Sequence, residues 1–159
     1  MVNGIKFREA TDQDIQVIAI LHQQKGTNNW YELIHGYKNC EFNPHQALPD
    51  RVFYIATASD SIVGFIAGHL TTRFDYYGQI QWLSVLPEFR RNGIASELLS
   101  LLGRWFVEHD SFSVSVDIDP DDKDFQSFYK SRHAESLNNY WFYWRDIRVA
   151  LLKQQDQVT

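Results

Sequence analysis

The sequence predicts a mixed α/β (α+β) fold in which a mainly antiparallel central sheet is flanked by helices. Runs that alternate apolar and polar residues, as half-buried strands do, are interspersed with runs of helical periodicity. The apolar runs RVFYIATA and IVGFIAGHL flank the turn signal SDS, a pattern typical of a β-hairpin. With 159 residues, 44% of them hydrophobic and 22% charged, the chain predicts one domain over residues 1–159.

The first predicted elements surround an irregular segment. Residues 5–9, IKFRE, alternate as a strand does, and Thr11-x-x-Asp14 resembles a capping box before a helix from about Asp12 to Gln24. Between residues 26 and 50, the run NNWYELIHGY indicates a short helix, whereas NPHQALPD is typical of a loop. The predicted hairpin comes directly after this segment.

The second half of the chain alternates strands and helices. A strand over residues 78–85 precedes a long helix from Ile94 to about His109, and the strand FSVSVDI precedes a short helix from Asp122 to about Arg132. The aromatic run NNYWFYWRDI predicts one closing strand, followed by a polar tail over about residues 153–159. The predicted order is therefore β-α-α-β-β-β-α-β-α-β.

The composition argues against several classes of function. A net charge of −5 at pH 7 argues against a nucleic-acid partner, because such binding depends largely on cations that neutralise phosphates. The single cysteine, Cys40, forbids an intramolecular disulfide and fits a reducing compartment. The start MVNGIKFREA lacks an apolar signal core, and no apolar run approaches the roughly 18 residues that span a bilayer. We therefore expect a cytoplasmic protein with no membrane partner.

The stretch LPEFRRNGIASELL, residues 86–99, contains the most informative motif. It places a turn with Gly93 before an apolar-periodic helix, and Arg90 and Arg91 stand at the helix start. A helix N-terminus carries roughly half a positive charge, so two cations are unfavourable there unless an anion is bound. Backbone N–H groups at such a turn converge on one spot, and glycine permits close approach of the anion. The stretch thus predicts a diphosphate site, although it matches neither the P-loop nor the dinucleotide-binding fingerprint.

The motif R-x-x-G-x-A at residues 90–95, preceded by L-x-V-x-P at residues 83–87, resembles the signature of the GNAT superfamily of N-acetyltransferases. The pair Phe128-Tyr129 and the order of elements over nearly the whole chain are also similar to that family. The resemblance implies acetyl-CoA as the co-substrate. It also implies transfer of the acetyl group to a primary amine of a small molecule or peptide.

The resemblance further implies which residues contact the cofactor. The pantetheine arm would pair with the backbone of a strand segment, and the pyrophosphate would lie on the backbone amides of the loop after it. The predicted cofactor-binding residues are Leu83, Ser84, Val85, Arg90, Arg91, Asn92, Gly93, Ile94, Ala95, Ser96 and Asp122. Asp122 stands where the family usually has Asn, which puts its contact with the arm in question.

Two residues are candidates for catalysis. Tyr129 matches the tyrosine that many family members place beside the CoA sulfur, where it would protonate the leaving thiolate. Its alternative role is packing, because Phe125, Phe128 and Tyr129 form one apolar helix face. Asp117 ends the strand FSVSVDI, where some protein N-terminal acetyltransferases of the family have a glutamate base. Two other interpretations stay open: Asp117 is a strand-end residue near solvent, or ordered water carries the proton.

One departure from the family leaves a second class of function open. Family members often carry a glutamate on the strand before the loop, but this chain has Gln79 and Gln81 there. Neither side-chain amide can act as a base at neutral pH. The alternative function is a non-catalytic module that binds or senses acyl-CoA.

Aromatic and acidic side chains predict the acceptor site. The predicted acceptor-binding residues are Trp30, Tyr31, Asp75 and Tyr76, and a carboxylate among them would attract an ammonium group. Trp82 is expected to face away from the glutamines on its strand and to pack in the core. The aromatic surplus of the closing strand predicts either a wall of this site or the contact of a homodimer.

We expect no metal site. The run DIDPDDKD imitates the start of a calcium loop, but Asp122 stands where glycine is needed and Phe128 where glutamate is needed. No two histidines have the spacing of a helical zinc motif.

Overall fold

A computed structural model of the protein describes residues 4–23 and 29–152. The predicted tail and Gln24, the predicted end of the first helix, lie outside these residues. The helices are α1 (Ile15–Gln23), α2 (Trp30–Lys38), α3 (Ile94–Glu108) and α4 (Lys123–Ser131). The strands are β1 (Ile5–Glu9), β2 (Ala47–Ala58), β3 (Ser61–Thr71), β4 (Gly78–Val85), β5 (Val114–Asp117), β6 (Glu135–Asn138) and β7 (Trp141–Trp144).

The strands form one sheet in the order β1-β2-β3-β4-β5-β7-β6. All neighbouring strands run antiparallel except β4 and β5, which are parallel. The predicted fold class, a mainly antiparallel sheet with flanking helices, is therefore confirmed. None of the helices in the described part of the chain has the length and hydrophobicity needed to cross a membrane.

Helices cover both faces of the sheet. Side chains of α1 and α2, among them Ile18 and Tyr37, pack with Phe53 and Phe65 of the hairpin on one face. Side chains of α3 and α4 pack against the other face in a second cluster, which includes Leu102, Tyr129, Ile80, Val116 and Phe142. Alternate residues of the central strands are buried on opposite faces, as the pleat requires.

Two details of the prediction are wrong. The aromatic run forms one closing strand, β7, as predicted, but an additional strand, β6, precedes the run and pairs with β7. Between the two strands the Asn138 side chain accepts a hydrogen bond from the Tyr140 N–H (2.8 Å) and turns the chain. The segment assigned to a loop already contains the start of β2, because Ala47 pairs with Thr71. The pairing is irregular between Ala47 and Arg51, a stretch that contains Pro49.

A β-bulge in β4 shifts its side chains. Trp82 pairs with Ala67 and Ile80 pairs with Gly68, so Gln81 is an extra residue on β4. Gln79, opposite His69, therefore shares a face with Trp82, since His69 and Ala67 are two residues apart. The expectation that Trp82 faces away from both glutamines is wrong, because one inserted residue reverses the alternation.

The parallel strands β4 and β5 diverge after a short pairing. Their register joins residues 78–80 to residues 114–116 only, whereas β4 continues to Val85. Beyond Ile80, the edge of β4 that faces β5 is therefore open. This opening positions the candidate site.

Candidate active site

The connection between β4 and α3 is a tight loop with two left-handed residues. Arg91 has φ 62°, and Gly93, at the cap position of α3, has φ 81° and makes no side-chain cap hydrogen bond. A left-handed conformation costs a non-glycine residue about 1 kcal/mol or more and is typical of functional turns. The first N–H groups of α3 have no partner within the helix. The loop therefore presents unpaired donors at the positive end of a 15-residue helix.

Two side chains of the loop bind the loop itself. The Arg90 Nε donates a hydrogen bond to the Val85 carbonyl (3.1 Å), and the Asn92 side chain donates to the Phe89 carbonyl (3.2 Å). Arg90 and Asn92 thus hold the loop in shape, in addition to the role of counter-charge predicted for Arg90.

A cavity of about 430 Å³ lies between this loop and α4. This volume is within the usual range for ligand sites. Its lining includes Val85, Arg90, Arg91, Gly93, Ile94, Ala95 and Ser96 on one side and Asp124, Phe125 and Phe128 on the other. A diphosphate fits this lining, because two arginines and the N-terminus of α3 attract anions and left-handed Gly93 leaves room for close approach. The carboxylate of Asp124 opposes this charge from the α4 side.

A second cavity of about 130 Å³ lies where β4 and β5 diverge. It shares Phe125 with the first cavity. Its lining includes His22, Gln81, Trp82, Leu83, Asp117, Asp119, Asp122 and Tyr129. The structure therefore brings the two predicted catalytic residues, Tyr129 and Asp117, to one small cavity beside the open edge of β4.

Tyr129 is a buried residue that stays protonated. Its ring meets Phe142 and Trp144 edge-on, with centroids 6.5 and 5.8 Å away. Burial raises the pKa of the Tyr129 hydroxyl well above its usual value, and the negative charges of Asp117 and Asp122 raise this pKa further. A neutral phenol can donate a proton or a hydrogen bond into the cavity.

The Asp117 carboxylate is only partly hydrated. Its side chain reaches solvent, but neighbouring protein atoms displace part of the water around the carboxylate. This desolvation raises the pKa of Asp117 above its usual value, and the positive charge of Arg73 opposes the shift. A carboxylate with a raised pKa is a better proton acceptor than an ordinary aspartate.

Asp122, Gln79 and Gln81 each make a side-chain hydrogen bond within the protein. The Asp122 carboxylate accepts a hydrogen bond from the Phe125 N–H (3.1 Å) and caps α4, where a negative charge is favourable. The Gln79 side-chain Nε2 donates a hydrogen bond to the Gln81 side-chain Oε1 (3.4 Å). Gln81 lines the small cavity, whereas the side-chain Oε1 of Gln79 is buried without a partner among the described residues.

His22 lines the small cavity, although the sequence pattern does not single it out. It is 6% exposed, and its Nδ1 lies 3.0 Å from the Ser84 hydroxyl, so the Ser84 side chain is turned toward α1. The His22 ring also meets Trp30 edge-on, with centroids 4.4 Å apart. The sequence places His22 in the last turn of an amphipathic helix, which is only a weak indication of a functional site. Its position at the cavity follows from the packing of α1 on the sheet.

The four predicted acceptor residues lie in two separate regions, and none lines either cavity. Trp30 and Tyr31 are on α2, where Tyr31 is 46% exposed and stacks on His35. Asp75 and Tyr76 are in the turn between β3 and β4, where Tyr76 stacks on Tyr143 of β7 (5.4 Å). Their role in acceptor binding stays a prediction.

Within residues 4–23 and 29–152, no group of three or more His, Cys, Asp or Glu side chains is arranged to hold a metal ion.

The sequence and the fold are both similar to known proteins. A sequence model of the Acetyltransferase (GNAT) family matches residues 17–134. No curated protein matches the chain.

Three solved structures illustrate the similarity in fold. Ard1 from Thermoplasma volcanium is 21% identical, with a TM-score of 0.71 over 94% of this chain and 99% of that chain. PaiA N-acetyltransferase from Thermoplasma acidophilum, solved in complex with coenzyme A, is 14% identical, with a TM-score of 0.63 over 87% and 96%. An aminoglycoside acetyltransferase from an uncultured soil metagenomic sample, solved with sisomicin, is 17% identical, with a TM-score of 0.64 over 86% and 93%. At such identities the likeness shows a shared fold alone.

Proposed function

The chain belongs to the Acetyltransferase (GNAT) family, and from this premise we propose that it transfers the acetyl group of acetyl-CoA to a primary amine of a small molecule or peptide. The observation that carries the proposal is the open edge of β4. Leu83 of this edge lines the small cavity with Tyr129 and Asp117, whereas Val85 lines the large cavity at the α3 loop. One strand thus connects an anion site to a site with an acid and a base.

The residues present fit acetyl-CoA. The N–H groups at the start of α3, with Arg91 beside them, would hold the pyrophosphate, and the edge of β4 opposite β3 would hold the pantetheine arm along residues 83–85. When bound, acetyl-CoA supplies the activated acetyl group as a thioester. The solved relative with coenzyme A supports this choice of cofactor, and the relative with sisomicin supports a small-molecule acceptor.

The reaction needs a base at one end and an acid at the other. An alkylammonium has a pKa of about 10.4, so the acceptor must lose a proton before its nitrogen can bond to the acetyl carbon. Asp117 takes this proton, directly or through water. As the nitrogen–carbon bond forms and the carbon–sulfur bond breaks, Tyr129 donates a proton to the leaving sulfur, whose thiol has a pKa of about 8.5. The nitrogen loses its second proton in the same step, and this proton returns to the Tyr129 oxygen through water, so that the neutral amide, free CoA thiol and the neutral phenol result.

The second candidate function is a non-catalytic acyl-CoA-binding module. Gln79 and Gln81, in place of a strand carboxylate, are the observation that favours it. Asp117 favours catalysis, because it brings a carboxylate to the same cavity from β5.

Release of free CoA thiol, measured with a panel of amines, separates the two functions. We expect release that depends on both acetyl-CoA and an amine, with acetylated amine detected by mass spectrometry. Calorimetric binding of acetyl-CoA without turnover on amino acids, polyamines, aminoglycosides and peptide N-termini would contradict the catalytic proposal.

A further inference from the structure

The turn between β3 and β4 brings an arginine over the sheet beside Asp117. Within this turn, Phe74 (φ 59°) and Asp75 (φ 63°) both adopt left-handed conformations. The Arg73 Cζ lies 4.6 Å from the centroid of the Trp141 ring and 5.3 Å from that of Phe74. Because the Phe74 ring also meets Trp141 edge-on at 5.2 Å, the three side chains form one cluster.

The guanidinium of Arg73 is held by aromatic rings and not by polar groups. In the described part of the chain it makes no hydrogen bond or ion pair, whereas its backbone N–H binds Thr71. Other arginines differ: Arg8 and Arg148 pair with carboxylates at 2.7 and 2.6 Å, respectively. Cation–π contacts orient the guanidinium but leave its five N–H donors without acceptors.

Arg73 and Asp117 are opposite charges at one end of the site. Trp141, which lies under Arg73, pairs in register with Asp117 across β5 and β7. The charge of Arg73 acts on Asp117, yet the two side chains have no N···O contact within 4.0 Å. A positive and a negative group that are close but unpaired can each bind the complementary group of one ligand.

We infer that the acceptor is an amino acid or a similar amino carboxylate, with its carboxylate bound by the Arg73 guanidinium and its amine at Asp117. The inference rests on the proposed acetyl transfer and narrows its acceptor. The planar fork of arginine matches a carboxylate in bidentate geometry, and such charge-assisted hydrogen bonds are the stronger ones. The rings of Trp141 and Phe74 fix the fork in advance, which lowers the entropy cost of binding.

The test compares amino acids with their carboxamides as acceptors in the thiol-release assay. Each pair has the same side chain and the same attacking nitrogen but differs in the carboxylate. The amine of the carboxamide is less basic and more of it is neutral at pH 7.5, so intrinsic reactivity favours the carboxamide. We expect kcat/KM to favour the amino acid instead. We expect Arg73→Gln to lower this preference by about 10- to 100-fold, since a charged hydrogen-bonded partner is lost. Arg73→Lys should retain part of it.

Arg148→Gln is the matched control. The Arg148 Cζ also lies 4.6 Å from an aromatic centroid, that of Phe112, but its guanidinium pairs with Asp146. The preference for the amino acid should be unchanged in this variant. Circular dichroism and the melting temperature of each variant show whether the fold is retained.

Three outcomes would overturn the inference without affecting acetyl transfer: equal use of acids and carboxamides, an unchanged preference in Arg73→Gln, or selective use of aminoalkyl phosphonates. If no acceptor turns over, the proposed catalysis fails, and calorimetry of amino acids with the enzyme–CoA complex decides the inference. Binding that Arg73→Gln abolishes would support it, and no binding would overturn it.

Discussion

The proposed cofactor cleft and the proposed acceptor face of this protein are built in different ways. The cleft is made mainly by consecutive residues, from Leu83 to Ser96, and its predicted contacts come from backbone N–H and C=O groups. The acceptor face combines side chains from separate elements, among them Arg73, Asp117 and Trp141, which strand register brings together. Because a backbone site follows from local conformation, it can be recognised in a short motif. A site made of distant side chains cannot.

The largest expected effect concerns the left-handed glycine of the cleft. Gly93→Trp should reduce acetyl-CoA binding by about 100-fold or more, because a side chain at φ 81° distorts the loop and fills the space beside the α3 N-terminus. Isothermal calorimetry measures the change. Gly4→Trp is the control, since Gly4 also has positive φ (75°) but a Cβ there meets nothing within 4 Å. Equal affinities of the two variants would contradict a backbone anion site.

An intermediate effect is expected for the acceptor-side carboxylate. Asp117→Asn should lower kcat/KM by about 10- to 100-fold at pH 8, because the proton acceptor is lost. In the wild type, kcat/KM should fall as the pH decreases through the raised pKa of Asp117. Asp60→Asn, in the turn between β2 and β3, is the control for this comparison. If kcat/KM of Asp117→Asn falls with decreasing pH in the same way as that of the wild type, another group is the base.

Asp117→Asn is expected to lower activity but to raise the stability of the fold at alkaline pH. The pKa of Asp117 is higher in the folded protein than the unfolded value of about 3.9. Its ionised form therefore destabilises the fold above the folded-state pKa, and the penalty disappears below the unfolded value. Asp117→Asn should raise the melting temperature at pH 8 and leave it nearly unchanged at pH 3. Calorimetric scans at both pH values measure this difference.

The smallest expected effect separates backbone from side chain within the cleft. Ser84→Ala should change acetyl-CoA affinity by less than about twofold, because the predicted contact of Ser84 is made by its backbone. The substitution should lower the free energy of unfolding by about 1 kcal/mol, since the buried hydrogen bond to His22 is lost. Calorimetry and urea denaturation give the two values. A tenfold loss of affinity would mean that the Ser84 hydroxyl contacts the cofactor.

Local patterns predict most of the fold. The fold class and the order of elements follow from alternation, helical periodicity and turn residues. Two errors have their cause in strand pairing: the bulge at Gln81 turns Trp82 to the other face, and the additional strand β6 is defined by its pairing with β7.

The same division applies to the candidate site. The motif around Gly93 predicts the turn before α3 and a diphosphate site at that turn. By contrast, Arg73 belongs to no motif, and its proposed role depends on a turn that places it over Trp141 of a distant strand. Likewise, His22 reaches the small cavity only through the packing of α1 on the sheet.

Tyr129 lines the same small cavity as Leu83 of the proposed cofactor cleft and Asp117 of the proposed acceptor face. Removal of its hydroxyl therefore tests the proposed acetyl transfer most directly. The decisive measurement is the single-turnover rate of acetyl transfer at saturating acetyl-CoA. Tyr54→Phe is the control, because it removes a half-buried hydroxyl on β2 that lines neither of the two cavities. Tyr129→Phe should lower this rate about 100-fold, with acetyl-CoA affinity within about twofold of the wild type. Equal single-turnover rates for wild type and Tyr129→Phe would contradict a proton-donating role for Tyr129 and would leave it a packing role only.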